Sequence, residues 1–186
     1  DCGAVPLVAD MSSSLLSEPF DCGRFGLIYA AAQKNIGPAG LTVVVIRRDL
    51  LNRSTDRLPA MLSYQVQAKG RSLYNTPPCQ AIYVASLVLD WVAENGGVQG
   101  MADRNRNKAQ TLYSFLDSSK LFAAKITGPD RSWMNVTFGL PTEAMEKKFV
   151  SDAAAAGLLS LAGHRSVGGM RDSLYNAMPQ AGVDAL

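Results

Sequence analysis

Residues 27–46 read LIYAAAQKNIGPAGLTVVVI, two aliphatic runs joined by a polar turn that ends in glycines. Leu27–Ala31 and Leu41–Ile46 carry aliphatic side chains on both parities, the pattern of strands covered on both faces of an α/β sheet. Only Ala32–Gly40 separates them, whereas a parallel crossover needs about a dozen residues or more, so the spacing predicts an antiparallel pair. Upstream, Val5–Ala9 is short, apolar and bounded by Asp10 and Ser12-Ser13-Ser14, which predicts a buried strand emptying into a polar loop. Polar groups therefore fall at strand ends: Asp10 after the first strand, Gln33-Lys34-Asn35 after the second, then the turn Gly37-Pro38-Ala39-Gly40. Ligands of open α/β sheets sit outside the carboxyl ends of strands, so an acid and a lysine delivered there can share a pocket.

Composition narrows the classes around that nucleus. The chain has 186 residues, 47% hydrophobic and 18% charged, and 18 Lys+Arg against 16 Asp+Glu leave a formal net charge of +2. This excludes a disordered chain and a nucleic-acid binder held by bulk positive charge. The longest nearly unbroken apolar stretch, Ala81–Leu89, contains Ser86 and falls far short of the ~20 residues that span a bilayer. Cys2, Cys22 and Cys79 form no C-x-x-C pair, so no disulfide framework or zinc knuckle is indicated and a reducing, cytoplasmic setting is expected. Cys22 and Cys79 read as small buried residues. The sequons Asn52-Arg53-Ser54 and Asn135-Val136-Thr137 carry no weight in a cytosolic protein. The chain begins at Asp1 with no methionine and no signal-peptide pattern, and Val183–Leu186 reads as a first helical turn that stops, so both ends look cut.

Asn75-Thr76-Pro77-Pro78 precedes an apolar stretch to Ala93 that ends at Gly96-Gly97. This predicts a helix with Thr76 as its cap and the prolines in its first turn. A second helix fits Met101–Leu116, with Met101, Ala109, Leu112 and Leu116 on one face and Arg104, Arg106 and Lys108 off it as a solvated basic face. Met134–Leu140 alternates as a half-buried strand, Thr142–Ala156 has helical spacing and stops at Gly157, and Leu158–Ala162 reads as a further strand. A domain boundary is expected near Asn95–Gly100, dividing residues 1–95 from a smaller α/β domain at 96–186.

A lysine amine can form a Schiff base with a pyridoxal aldehyde, and a carboxylate beside the pyridine nitrogen keeps that ring protonated and electron-accepting, so Asp10 with Lys34 suits pyridoxal chemistry. On spacing alone, however, a lysine after a strand is more often a solvated loop residue. Taken singly, Gln33 and Asn35 read as turn residues satisfying their own backbone. The sole histidine, His164, lies beside Arg165 and near Arg171 in a glycine-rich stretch that favours neither helix nor strand. Guanidinium forks match carboxylate and phosphate oxygens, so this cluster suits a substrate bearing both groups.

Four strings, in this order and at these intervals, closely resemble the phosphoserine aminotransferase family of class V, fold-type-I pyridoxal-phosphate enzymes. They are Val8-Ala9-Asp10-Met11-Ser12-Ser13, Tyr29 to Gly40, Tyr74-Asn75-Thr76-Pro77-Pro78, and Gly163 to Arg171. Asp130 to Asn135 and Leu174-Tyr175-Asn176-Ala177 are similar as well, so the resemblance covers essentially the whole chain but not the family's N-terminal half. It implies the later part of the large cofactor-binding domain in residues 1–95, a mixed sheet flanked by helices, followed by a small C-terminal α/β domain, truncated at its end.

The resemblance further implies a homodimer with shared active sites that uses pyridoxal 5′-phosphate. Lys34 is then the Schiff-base lysine and proton carrier, and Asp10 the partner of the pyridinium nitrogen. Gln33 contacts the cofactor phosphate, while Asn75 and Thr76 reach the phosphate bound by the other subunit. Arg171 binds the substrate α-carboxylate, and His164 and Arg165 its phosphate; no metal is implied. The implied reaction moves an amino group between glutamate and 3-phosphohydroxypyruvate, giving phosphoserine and 2-oxoglutarate in serine biosynthesis, with a role in pyridoxine synthesis in bacteria. Two alternatives stand beside it. One is another class V enzyme, such as an alanine–glyoxylate aminotransferase or a cysteine desulfurase, which would lack the His164-Arg165…Arg171 cluster; the other is an inactive piece with a structural or binding role. Ala31, Gln80 and Asp172 depart from the family's common residues. Asp172 bears on function, because a carboxylate beside Arg171 weakens anion binding if it points inward and is harmless if it faces solvent.

Overall fold

Aliphatic residues on both parities make Leu27–Ala31 the natural centre of a sheet. In the computed structural model, which describes residues 3–53 and 57–186, this strand (β2) lies between β1 (Val8–Asp10) and β3 (Thr42–Ile46). β1 runs parallel to β2 in the register Val8↔Leu27, Ala9↔Ile28, Asp10↔Tyr29. β3 runs antiparallel to β2, as the short connection predicts. Cys2 and Ser54, the latter part of one sequon, lie outside the described residues.

The chain divides into two compact units, Asp1–Asn95 and Gly96–Leu186. The first holds this sheet with helices α1 (Tyr64–Lys69) and α2 (Cys79–Glu94). Its small core joins Ala30, Ala32 and Ile36 to Ala85 of α2, with Leu15, Leu16, Leu41 and Val43 around them. Several expectations need correction here. The first strand is Val8–Asp10 and not Val5–Ala9, because backbone pairing with β2 extends no further back than the Leu7 carbonyl, which accepts the Gly26 N–H at 2.8 Å. Burial on both faces holds only in part even for the middle strand, where Leu27, Ile28 and Ala30 are buried but Tyr29 is 38% exposed, and it fails on β3, where Val44 and Val45 are 38% and 49% exposed. Thr76 does not cap α2. The helix starts at Cys79 with Pro78 in the cap position at φ −74°, ψ 74° and no side-chain cap, because each proline forces the residue before it into extended backbone. Cys22 and Cys79 are exposed thiols and not buried fillers.

The second unit runs α3 (Gly97–Ser118), β4 (Ala123–Ala124), β5 (Asn135–Gly139), α4 (Glu143–Ala155), β6 (Met170–Ser173) and α5 (Gln180–Asp184), with an antiparallel sheet in the order β4-β5-β6. The alternation read at 134–140 sends Met134, Val136 and Phe138 into the core. There Phe122, Phe138 and Phe149 meet edge to face at centroid distances of 5.2–6.1 Å, a geometry that adds to simple area burial. Thr142 caps α4 by accepting the Met145 N–H. Leu158–Ala162 is not a strand: Ser160 takes φ +64° and only Ala162 forms a bridge, to Met170. The strand of this region is β6, inside the glycine-rich stretch that local propensity assigns to neither helix nor strand, and its pairing with β5 overrides that propensity.

Lys108 overturns the solvated-face reading of α3. It is 2% exposed, and its ammonium donates to the carbonyls of Leu174, Tyr175 and Met178 at 2.5, 2.8 and 3.0 Å. Asn105, one turn earlier, donates to Asn176 Oδ1 at 2.8 Å. Together they clamp the turn that follows β6. Burial pushes the Lys108 ammonium down to about 8, which leaves all three donors in place at neutral pH.

Replacing Lys108 with Met removes the ammonium that three carbonyls share, of which Tyr175 alone keeps a second donor among the described residues, the Met178 N–H, so the variant should lose about 2–4 kcal/mol of stability in urea unfolding at pH 7. The folded value lies below the ordinary 10.5, so the unfolded chain binds the extra proton between those two pH values. Wild-type stability relative to Lys108→Met should therefore rise with pH across that window, measured by urea midpoints at pH 7.5 and 10.

Candidate active site

The two strand exits that the sequence marks are neighbours because β1 and β2 pair in parallel. Met11 N–H continues that pairing onto the Tyr29 carbonyl at 2.8 Å, and Ala31 N–H donates to Ser12 Oγ at 3.0 Å. Ser12 in turn donates its own N–H to Asp10 Oδ1 at 2.9 Å. The Ser12 hydroxyl and backbone amide, with lesser help from the Tyr29 hydroxyl and the Lys34 ammonium, hold the Asp10 carboxyl below the usual aspartate range against the opposing effect of desolvation. The same contact, chiefly the Asp10 charge, raises the Tyr29 phenol. Asp10 is thus an exposed, ionised carboxylate at the carboxyl edge of the sheet, facing Tyr29 across the register and within electrostatic reach of Lys34.

Lys34 stands at the crest of the turn after β2. Ala32 O accepts the N–H groups of Ile36 and Gly37 at 3.1 and 2.8 Å, so the backbone coils once before Leu41 rejoins the sheet. Asn35 is buried and donates its side-chain amide to the carbonyls of Ser13 and Leu15, both at 3.2 Å. It therefore ties the lysine turn to the loop after β1, a tertiary role that the local turn reading misses. Gln33 and Lys34 point outward, and Lys34 makes no hydrogen bond among the described residues. Asn75 and Thr76 are exposed in the segment before α2, where Asn75 Nδ2 donates to the Thr76 carbonyl at 3.1 Å.

In the second unit, Arg171 sits on β6 opposite Thr137, and Asp172 opposite Val136. Successive residues of a strand face opposite sides of the sheet. Val136 is fully buried, so Asp172 shares the inner face with it while Arg171 takes the outer face. Asp172 thus points inward without facing the arginine; burial raises its carboxyl, and the Lys108 charge opposes that rise. Arg171 Nε is buried with no hydrogen-bond partner, and no carboxylate lies within ion-pairing distance of Arg171 among the described residues. His164 and Arg165 are exposed on the tight turn ahead of β6, where the His164 carbonyl accepts the N–H groups of Val167 and Gly168, both at 2.8 Å. Ser166 N–H donates to His164 Nδ1 at 3.3 Å and its Oγ lies 2.7 Å from the same nitrogen. With Nδ1 accepting from the Ser166 N–H, the neutral ring carries its proton on Nε2, which is then its donor.

Ser12, Tyr29 and Asn35 thus belong to the acid–lysine site, although sequence alone gives Ser12 and Tyr29 no role in it beyond their place in the quoted strings. The signal for Ser12 was present in its spacing of two from Asp10, which is that of an Asx turn. Among the described residues, no group of His, Cys, Asp and Glu is placed to hold a metal ion, and no helix is long and apolar enough to cross a membrane.

Comparison with known proteins shows the family. The family model for class-V aminotransferases matches residues 2–186. The chain is 55% identical over 184 residues to the phosphoserine aminotransferase of Pseudomonas syringae pv. syringae strain B728a, covering 99% of this chain and 51% of the relative. Among solved structures it is similar to the phosphoserine aminotransferase from Bacillus circulans subsp. alkalophilus, with a TM-score of 0.96 and 48% identity over all of this chain and 52% of that one. It is similar also to the PLP-bound phosphoserine aminotransferase from Trichomonas vaginalis, with a TM-score of 0.93 and 42% identity over 98% and 52% of the two chains. The chain therefore spans about half the length of the relatives it matches. An acid and a lysine at neighbouring strand exits, set in a sequence that matches the family along its length, place this chain in the class-V aminotransferase family.

Proposed function

We propose that this chain carries the lysine-bearing part of a pyridoxal-phosphate-dependent phosphoserine aminotransferase, which exchanges an amino group between glutamate and 3-phosphohydroxypyruvate in serine biosynthesis. The observation that carries this reading is the placement of an ionised Asp10 and Lys34, an amine that makes no hydrogen bond among the described residues, at adjacent strand exits. That donor set fits the cofactor. When bound, pyridoxal phosphate supplies an aldehyde carbon and a ring that accepts electrons once its nitrogen is protonated. Asp10 would hold that proton on the ring nitrogen, with Ser12 and Tyr29 favouring the ionised carboxylate that does so. Lys34 would supply the amine for the aldehyde and would hold or move the proton at the substrate α-carbon. Gln33 would contact the cofactor phosphate.

The buried, unpartnered Nε of Arg171 is a donor waiting for an acceptor, since an unmade bond at such a group costs about 1–3 kcal/mol. The substrate α-carboxylate fits that role, and the Nε2 donor of His164 with the Arg165 fork fits its phosphate. This cluster favours phosphoserine over the substrates of other class-V reactions. The protein acts as a homodimer, in which the exposed Asn75 and Thr76 serve the phosphate held by the partner subunit. A cytoplasmic setting suits the exposed thiols of Cys22 and Cys79.

Lys34→Ala should abolish the visible absorbance band of the bound cofactor and its borohydride-fixed adduct, read by spectrum and peptide mass; a band that survives in the variant refutes the assignment. Ser12→Ala should raise the titration midpoint of Asp10 toward that of an ordinary aspartate, read by carbon NMR of its carboxyl, because the hydroxyl that most favours the charged form is gone.

A further inference from the structure

Lys125 is absent from every role assigned above, yet it touches the turn that carries His164 and Arg165. Its backbone N–H donates to the Thr137 carbonyl at 2.9 Å, which extends the β4–β5 ladder by one residue. In that register Lys125 sits in the row of Thr137, and Thr137 pairs with Arg171 on the other side. Side chains in one row project from the same face of a sheet. Lys125 and Arg171 therefore leave the same outer face two strands apart, roughly 10 Å between backbones at about 4.8 Å per strand.

From there the Lys125 ammonium reaches the turn and donates to the carbonyls of Val167 and Gly168 at 3.1 and 3.0 Å. The turn is shaped for this approach at two glycines. A Cβ on Gly169 would lie 2.5 Å from Lys125 Nζ, and a Cβ on Gly163 would lie 2.3 Å from the Gly168 carbonyl oxygen. Gly163 N–H closes the turn onto the Gly169 carbonyl at 2.8 Å. The turn therefore closes on itself at its base and is moored to the sheet through one ammonium at its far side. With two of its three N–H donors committed to carbonyls, Lys125 acts by placing the turn and not by binding an anion directly.

We propose that Lys125 is a positioning residue for substrate selection: by mooring the Val167 and Gly168 carbonyls it sets His164 and Arg165 for the phosphate of the substrate, in register with Arg171 on the same sheet face. The proposal rests on the anion-binding reading of His164, Arg165 and Arg171 given above. Its test uses the holoenzyme, with equilibrium binding and steady-state kinetics for phosphoserine and for L-serine, which lacks the phosphate. Lys125→Met keeps the aliphatic stem and removes the donors. It should weaken phosphoserine binding, and its competition by inorganic phosphate, about tenfold, while binding of serine and kcat with saturating phosphoserine change less than about twofold. Lys125→Arg, which keeps a charged donor, should restore most of the loss. Equal losses for the two amino acids in Lys125→Met, or no loss for phosphoserine, would overturn the proposal. A wild-type protein that does not prefer phosphoserine to serine would instead overturn the reading of the anion cluster, and the proposal with it.

Discussion

Parallel pairing of Val8–Asp10 with Leu27–Ala31 is the constraint on which the acid–lysine site depends. It puts the exits of two strands side by side, so that a carboxylate and an amine 24 positions apart in the sequence share one sheet edge. Ser12 reinforces the pairing with a side-chain contact to Ala31 and at the same time donates to Asp10. The bond that continues the sheet and the bond that keeps the acid charged thus meet in one residue. Asn35 does the equivalent for the lysine turn by tying it to the carbonyls of the opposite loop.

The second unit uses the same economy with other chemistry. Its aromatic core and the antiparallel β4-β5-β6 sheet turn Asp172 toward the interior and Arg171 away from it. An acid adjacent in sequence to an arginine is thereby kept off that arginine's face of the sheet. Two lysines hold backbone carbonyls here, Lys108 from inside and Lys125 from the outer face, and each steadies a turn that flanks β6. Cations suit the task because one ammonium serves two or three carbonyls at once, and a bond from a charged donor is stronger than a neutral one.

Much of the fold was legible in the sequence because it is local. The strand at 27–31, the antiparallel return, the alternation at 134–140 and the helix capped by Thr142 all follow from periodicity and turn chemistry within a few residues. Two of the misreadings have a long-range cause. Lys108 looks like a surface residue until the turn after β6 folds over it, and Met170–Ser173 looks like a loop until β5 supplies a partner. The Thr76 cap fails for a local reason, the backbone that two successive prolines impose.

For the site the division is similar. Residue type and spacing alone marked Asp10 and Lys34 at strand ends and gathered His164, Arg165 and Arg171 into one anion-suited cluster, because the chemistry of a carboxylate, an amine or a guanidinium belongs to the residue itself. What the sequence could not determine was environment. That Asp10 is held ionised, that Arg171 keeps a buried donor without a partner, and that Asp172 faces away from it came only with the tertiary structure. Side-chain facing and hydrogen-bond partnership are set by sheet register, and register is a relation between strands that no single strand encodes.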